Sequence, residues 1–173
     1  FDVFLSAEKH QKIDQREPED LLAMEFVNHK INSYKREVKK QLTGVSISQE
    51  HLEFLRKIAI EGPLKNYKRD YPNLISTLLG WGGNCVAQTM FITGLLSPYR
   101  SQLPQGQKLG IALFVDHLEP ILYDGGGITF LVSGQKVLNT GARLYKPEFL
   151  LYLLLKNYNA TQQYTYQDFL LNP

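Results

Sequence analysis

The segment with the most evident chemical potential is Trp81-Gly82-Gly83-Asn84-Cys85-Val86-Ala87-Gln88, where a glycine-rich turn delivers the only cysteine to the start of an expected helix. Free backbone N–H groups and the positive end of the helix dipole stabilise a thiolate at such a position. The same N–H groups can hold the oxyanion formed when that thiolate attacks a carbonyl. Glycine lets a substrate backbone approach closely, which makes Gly83 a candidate substrate contact. Gln88 stands one turn into the helix, where it can join the Cys85 N–H around the oxyanion, and Trp81 is placed to wall a substrate slot. The competing reading makes Cys85 a small core residue and Trp81 core packing.

Other chemistries find less support. The run Gly125-Gly126-Gly127 follows a strand but opens no helix and has no Lys-Ser/Thr after it, so it reads as a tight turn and not a phosphate cradle. No two histidines lie close and no carboxylates cluster, so no metal site is expected, and no cofactor either. One cysteine excludes an internal disulfide and any zinc site built on two or four cysteines. The 173 residues carry 19 basic and 17 acidic side chains, a formal charge of +2, too small an excess to point to nucleic acid. No apolar run approaches the roughly 18 residues that a membrane helix needs. The chain starts at Phe1, which is compatible with a processed or partial chain and with export after removal of a signal peptide.

The elements that must position these residues fall into a helical part, 1–77, and a mixed part, 78–173, of an expected single domain. Leu21, Met24, Val27, Ile31, Tyr34, Val38 and Leu42 recur every three or four residues and predict one long amphipathic helix from Pro18 to about Leu42, stopped by Gly44. Its other face carries Lys30, Lys35, Arg36, Lys39 and Lys40, a solvated face or a contact for phosphates, anionic lipid or a protein partner. Ser48 caps a second helix that ends at Gly62-Pro63, and Lys65 to Pro72 reads as an exposed loop. After the cysteine helix, Cys85 to about Leu96, strands are expected over Leu109–Val115, Ile121–Tyr123, Ile128–Val132 and Lys136–Leu138. Pro147 opens a leucine-rich helix, and a polar loop leads to a short C-terminal helix. The expected class is α+β: N-terminal helices, then a cysteine-bearing helix packed on a small antiparallel sheet, then C-terminal helices.

This layout resembles the papain-like and transglutaminase-like superfamily of cysteine enzymes, and the turn Gly82-Gly83-Asn84-Cys85 is similar to the Gly-Gly-x-Cys of arylamine N-acetyltransferases. The resemblance covers about a third of the chain, roughly Leu78 to Val132. It implies a histidine and an aspartate or asparagine on strands after the cysteine, and it puts Asp124 in the aspartate's place. The family's histidine begins the first strand, near Gly110-Ile111, where this chain has none. His117, at or near the turn between the first two strands, is the only histidine after Cys85 and becomes the base by default; His10, His29 and His51 precede it. If His117 starts a strand, Asp124 lies seven residues on, about 23 Å away, and Asn139 is the alternative third member. Asp116 and Glu119 stand outside that scheme, and Pro120 argues for a chain break just after His117.

The resemblance implies a thiol-dependent hydrolase or acyltransferase acting on peptide or protein side-chain amides. Cys85 would attack, His117 would carry the proton, and Asp124 or Asn139 would orient the imidazole. An acetyl-coenzyme A donor is implied only by the N-acetyltransferase likeness. The missing strand-start histidine supports the alternative, a catalytically degenerate relative that serves as a protein-binding or scaffold module. Its contacts would be the long first helix and the aromatic stretch Tyr158, Tyr164, Tyr166 and Phe169.

Overall fold

Helix α1 spans Pro18–Leu42 in the computed structural model, which describes residues 18–69, 74–80, 82–138, 140–155 and 164–171. The apolar stripe is the buried face: Val27, Ile31, Val38 and Leu42 are all sealed from solvent, with Tyr34 half-buried between them. The side chains of Leu21 and Met24 lie outside the described residues. Lys39 and Lys40 occupy the last turn, where their charge complements the carbonyl end of the helix. Gly44 turns the chain at φ 74°, a conformation that only glycine adopts without strain. The side-chain amide of Gln102 donates to the carbonyls of Leu42 and Val45, satisfying groups the helix end leaves open.

Helix α2, Gln49–Glu61, starts on a reciprocal cap: Ser48 Oγ accepts from the His51 N–H, and the Ser48 N–H donates to His51 Nδ1 at 3.0 Å. This gives His51 a structural role. A short helix α3, Leu74–Leu78, was not expected from the sequence, because five residues carry too little periodicity. Helix α4, Cys85–Leu96, is apolar on all sides and therefore central. It packs against α1, α2 and α3 and against the sheet. Tyr34 meets Phe91 of this helix edge-to-face at 5.2 Å, and burial pushes the Tyr34 hydroxyl above its ordinary pKa, with Glu37 adding to the effect. A 3₁₀ segment, Ser97–Gln102, follows.

The sheet has five antiparallel strands: β1 Lys108–Leu113, β2 Leu118–Tyr123, β3 Ile128–Phe130, β4 Lys136–Val137 and β5 Arg143–Tyr145, in the spatial order β4-β3-β2-β1-β5. The class is α+β, as expected. Pro120 does not break β2. Its carbonyl accepts from the Leu131 N–H at 2.9 Å, so the missing N–H of proline falls on that same side, just past the end of β3, and the ladder to β1 needs no donor there. Helix α5, Phe149–Leu155, and a 3₁₀ turn, Tyr166–Phe169, complete the described chain.

Two apolar clusters separate the faces of the sheet. Leu109, Ile111, Leu118 and Leu122 join the helices in one core that runs from Val27 to Leu150 and thus unites the helical and mixed parts. Ala112, Ile121, Ile128 and Phe130 form a second cluster on the other face, edged by Phe114, Tyr123, Ala142 and Leu144. The β4–β5 connection runs diagonally from one edge of the sheet to the other. Six residue steps from Val137 to Arg143 supply at most about 21 Å of chain. A flat sheet would require about 25 Å, from four spacings of about 4.8 Å across and five residues of about 3.3 Å along. The sheet therefore curls, and the packing of Ala142 on the second cluster fixes the direction of the curl.

Candidate functional site

The cysteine turn is held from both sides. The Gly83 N–H donates to the Asn66 carbonyl, and the Lys68 N–H donates to the Gly83 carbonyl, each at 3.1 Å, so residues 66–68 form a strap along the turn. Gly82 has φ 107°, and a Cβ there would stand 2.6 Å from the Asn66 carbonyl oxygen. A Cβ on Gly83 would collide with Thr77 Oγ1 and lie 2.9 Å from the Ala87 methyl. Thr77, fully buried, donates from that same hydroxyl to the Gly82 carbonyl at 3.3 Å. Gly83 is buried and its close neighbours are protein atoms, so the need for glycine here arises from internal packing and not from substrate approach. The segment Lys65 to Arg69 is an exposed loop, as expected, and its backbone is also tied to the turn.

Asn84 is the N-cap of α4. Its Oδ1 accepts from the N–H groups of Val86 at 2.9 Å and Ala87 at 3.4 Å, and its Nδ2 donates to the Arg69 carbonyl at 3.0 Å. Two of the N–H groups that a first turn can offer an oxyanion are therefore already engaged. Cys85 follows as the first helical residue, a half-buried free thiol packed against the main core. Gln88 is half-buried one turn on, and Trp81 lies outside the described residues.

His117 closes the β1–β2 hairpin, where the Phe114 N–H donates to the His117 carbonyl at 2.7 Å. The tip reaches the first turn of α4 through the backbone: the Thr89 hydroxyl donates to the Cys85 carbonyl at 2.7 Å and stands 3.4 Å from the Leu118 carbonyl. The imidazole, however, stands on the other face. Leu118 and Leu122 point to the helix side, so Glu119 and Ile121 point away from it, with Glu119 opposite Ala112 of the second cluster. Both side-chain neighbours of His117 belong to that far face: the Phe114 ring at 6.2 Å between centroids and Glu119 Oε2 at 3.7 Å from Nε2. The other oxygen of Glu119 accepts from the Ser133 N–H at 3.2 Å.

Asp124 sits at the opposite end of β2. Its carboxylate accepts from the Gly126 N–H at 3.0 Å and lies 3.4 Å from Lys136 Nζ. The Gly126 N–H holds its carboxyl below the ordinary pKa, and Lys136 adds to the effect. The extended strand between His117 and Asp124 puts them about 23 Å apart, too far for the expected orienting contact, and the carboxylate beside the imidazole is Glu119, which stood outside the scheme. The other candidate, Asn139, lies outside the described residues; Asp116 is an exposed turn residue. The structure thus brings His117 and Glu119 together, and places Cys85 and Asp124 elsewhere. The signal for the pair was present: residues two apart on a strand share a face.

No protein-family model, curated protein or solved structure matches this chain. The likeness to cysteine enzymes accordingly rests on the quoted residues. Among the described residues no group of three or more histidine, cysteine or carboxylate side chains is placed to hold a metal ion, and no helix is long and apolar enough to cross a membrane.

Proposed function

We propose that this domain is a catalytically degenerate, cysteine-helix α+β module that binds a protein partner. The observation that supports this reading is the position of the His117 side chain, which contacts Phe114 and Glu119 on the face of the sheet turned away from α4. The engaged cap N–H groups and the strap over Gly82-Gly83 support it further. The outer face of α1 suits the contact: Phe26 is half-exposed with the Lys30 ammonium 4.7 Å from its ring centre, and Arg36, Lys39 and Lys40 are exposed beyond it. Such a face fits an acidic protein surface.

A second reading has one observation in its favour. Cys85 is a half-buried thiol at the N-terminus of α4, the position that suits a nucleophile for acyl transfer to or from an amide. The two readings separate in alkylation kinetics. For the binding module, iodoacetamide labels Cys85 no faster in the folded protein than in urea, and His117→Ala leaves the folded rate unchanged. Faster labelling in the folded state that His117→Ala abolishes would establish the thiol enzyme instead.

A further inference from the structure

A cavity of about 600 Å³ opens at the end of the sheet opposite His117, where β1 begins and β5 ends. Leu103, Leu109 and Leu171 form its apolar wall, and Arg100, Lys108 and Lys146 are its cations. Arg100 is paired with Glu148 at 2.9 Å. Lys108 and Lys146 are exposed, and neither makes a salt bridge within 4 Å among the described residues. Lys146 also faces Asp168, whose carboxyl is held low mainly by the Thr165 N–H. Gln107 lies on the same wall with its side-chain oxygen buried and without a hydrogen-bond donor. A pocket with aliphatic walls and two exposed ammonium groups at its rim, neither held in a salt bridge among the described residues, selects a ligand with an apolar body and an anionic end. Rotation of the Gln107 amide toward the ligand would give its oxygen a donor if the ligand carries an N–H beside the anion.

We propose that this cavity binds a carboxylate carried on an aliphatic, amide-bearing body, the chemistry of an N-acylated leucine or of a peptide chain's C-terminal leucine. The ammonium groups of Lys108 and Lys146 meet the carboxylate, the leucine walls take the side chain, and Gln107 takes the amide N–H. The inference is independent of the cysteine turn, which lies at the other end of α4.

Isothermal titration calorimetry of the whole chain tests it, with N-acetyl-leucine, a pentapeptide ending in leucine, their C-terminal amides, and acetate as probes. Saturable binding of one or both leucine carboxylates is expected, weakened at least tenfold in the amides, in acetate and in Lys108→Glu/Lys146→Glu. Both lysines are exposed, so the variant should stay folded, and the lost attraction between Lys146 and Asp168 should lower its melting temperature only slightly. Tighter binding of the pentapeptide identifies chain ends as the source, and tighter binding of N-acetyl-leucine identifies free acids. The proposal is overturned if neither carboxylate binds saturably, if the amides or acetate bind as well, or if the folded double variant binds undiminished.

Discussion

Substituting Gly83 by alanine separates packing from substrate access at the cysteine turn. If glycine served to admit a substrate, the added methyl would face open space and the fold would tolerate it. In the structure the methyl would overlap Thr77 Oγ1 and press on the Ala87 methyl at 2.9 Å. Thr77 is fully buried, and turning its hydroxyl away would break its hydrogen bond to the Gly82 carbonyl. Overpacking costs about 1–3 kcal/mol, and a buried donor left unsatisfied costs about 1–3 kcal/mol. Gly83→Ala should therefore lose roughly 2–6 kcal/mol in urea unfolding followed by far-ultraviolet circular dichroism. Thr77→Ala removes the atom that the new methyl strikes, so the cost of Gly83→Ala should fall by about 1 kcal/mol or more in that background. A Gly83→Ala protein within about 0.5 kcal/mol of wild type, or an equal cost in both backgrounds, would refute the packing argument.

Ile31→Asp places a carboxylate on the sealed face of α1 and should unfold the domain or lower its stability by several kcal/mol, read by thermal melting. Asn84→Ala removes the cap of α4 and its link to the Arg69 carbonyl, and should cost about 1–2 kcal/mol by urea unfolding. Asp124 has a folded pKa below its unfolded value, so its contribution is present above the unfolded value and is lost as pH falls through the folded one. Asp124→Asn should lower stability slightly across the neutral region, where that contribution is present, and flatten the acid limb of a stability–pH curve below about pH 4, where wild type loses it too.

The parts of the fold that were legible in the sequence are those with a strong period or a strong stop. The α1 stripe, the Ser48 cap and the continuous apolar runs of α4 and β1 each name their element. Helix α3 and strand β5 have five and three residues, too few for a pattern, and they exist because the surrounding core covers them. Pro120 was misleading for a positional reason, since a strand tolerates proline where its neighbour ends. The candidate site was legible residue by residue but not as an arrangement. Cys85 at the helix start and His117 near the hairpin tip were both read from local sequence. Which face of β2 the imidazole occupies depends on register, and a shift of one residue would have reversed it.

The distance between Cys85 Sγ and the nearest ring nitrogen of His117 in a crystal structure tests the central claim most directly. With the imidazole on the far face of the sheet, beside Glu119 and Phe114, that distance should lie well beyond the roughly 3.2 Å of hydrogen-bond reach, with β2 between the two groups. A His117 nitrogen within hydrogen-bond reach of the thiol, on the α4 side of the sheet, would contradict the binding-module account and restore the thiol enzyme.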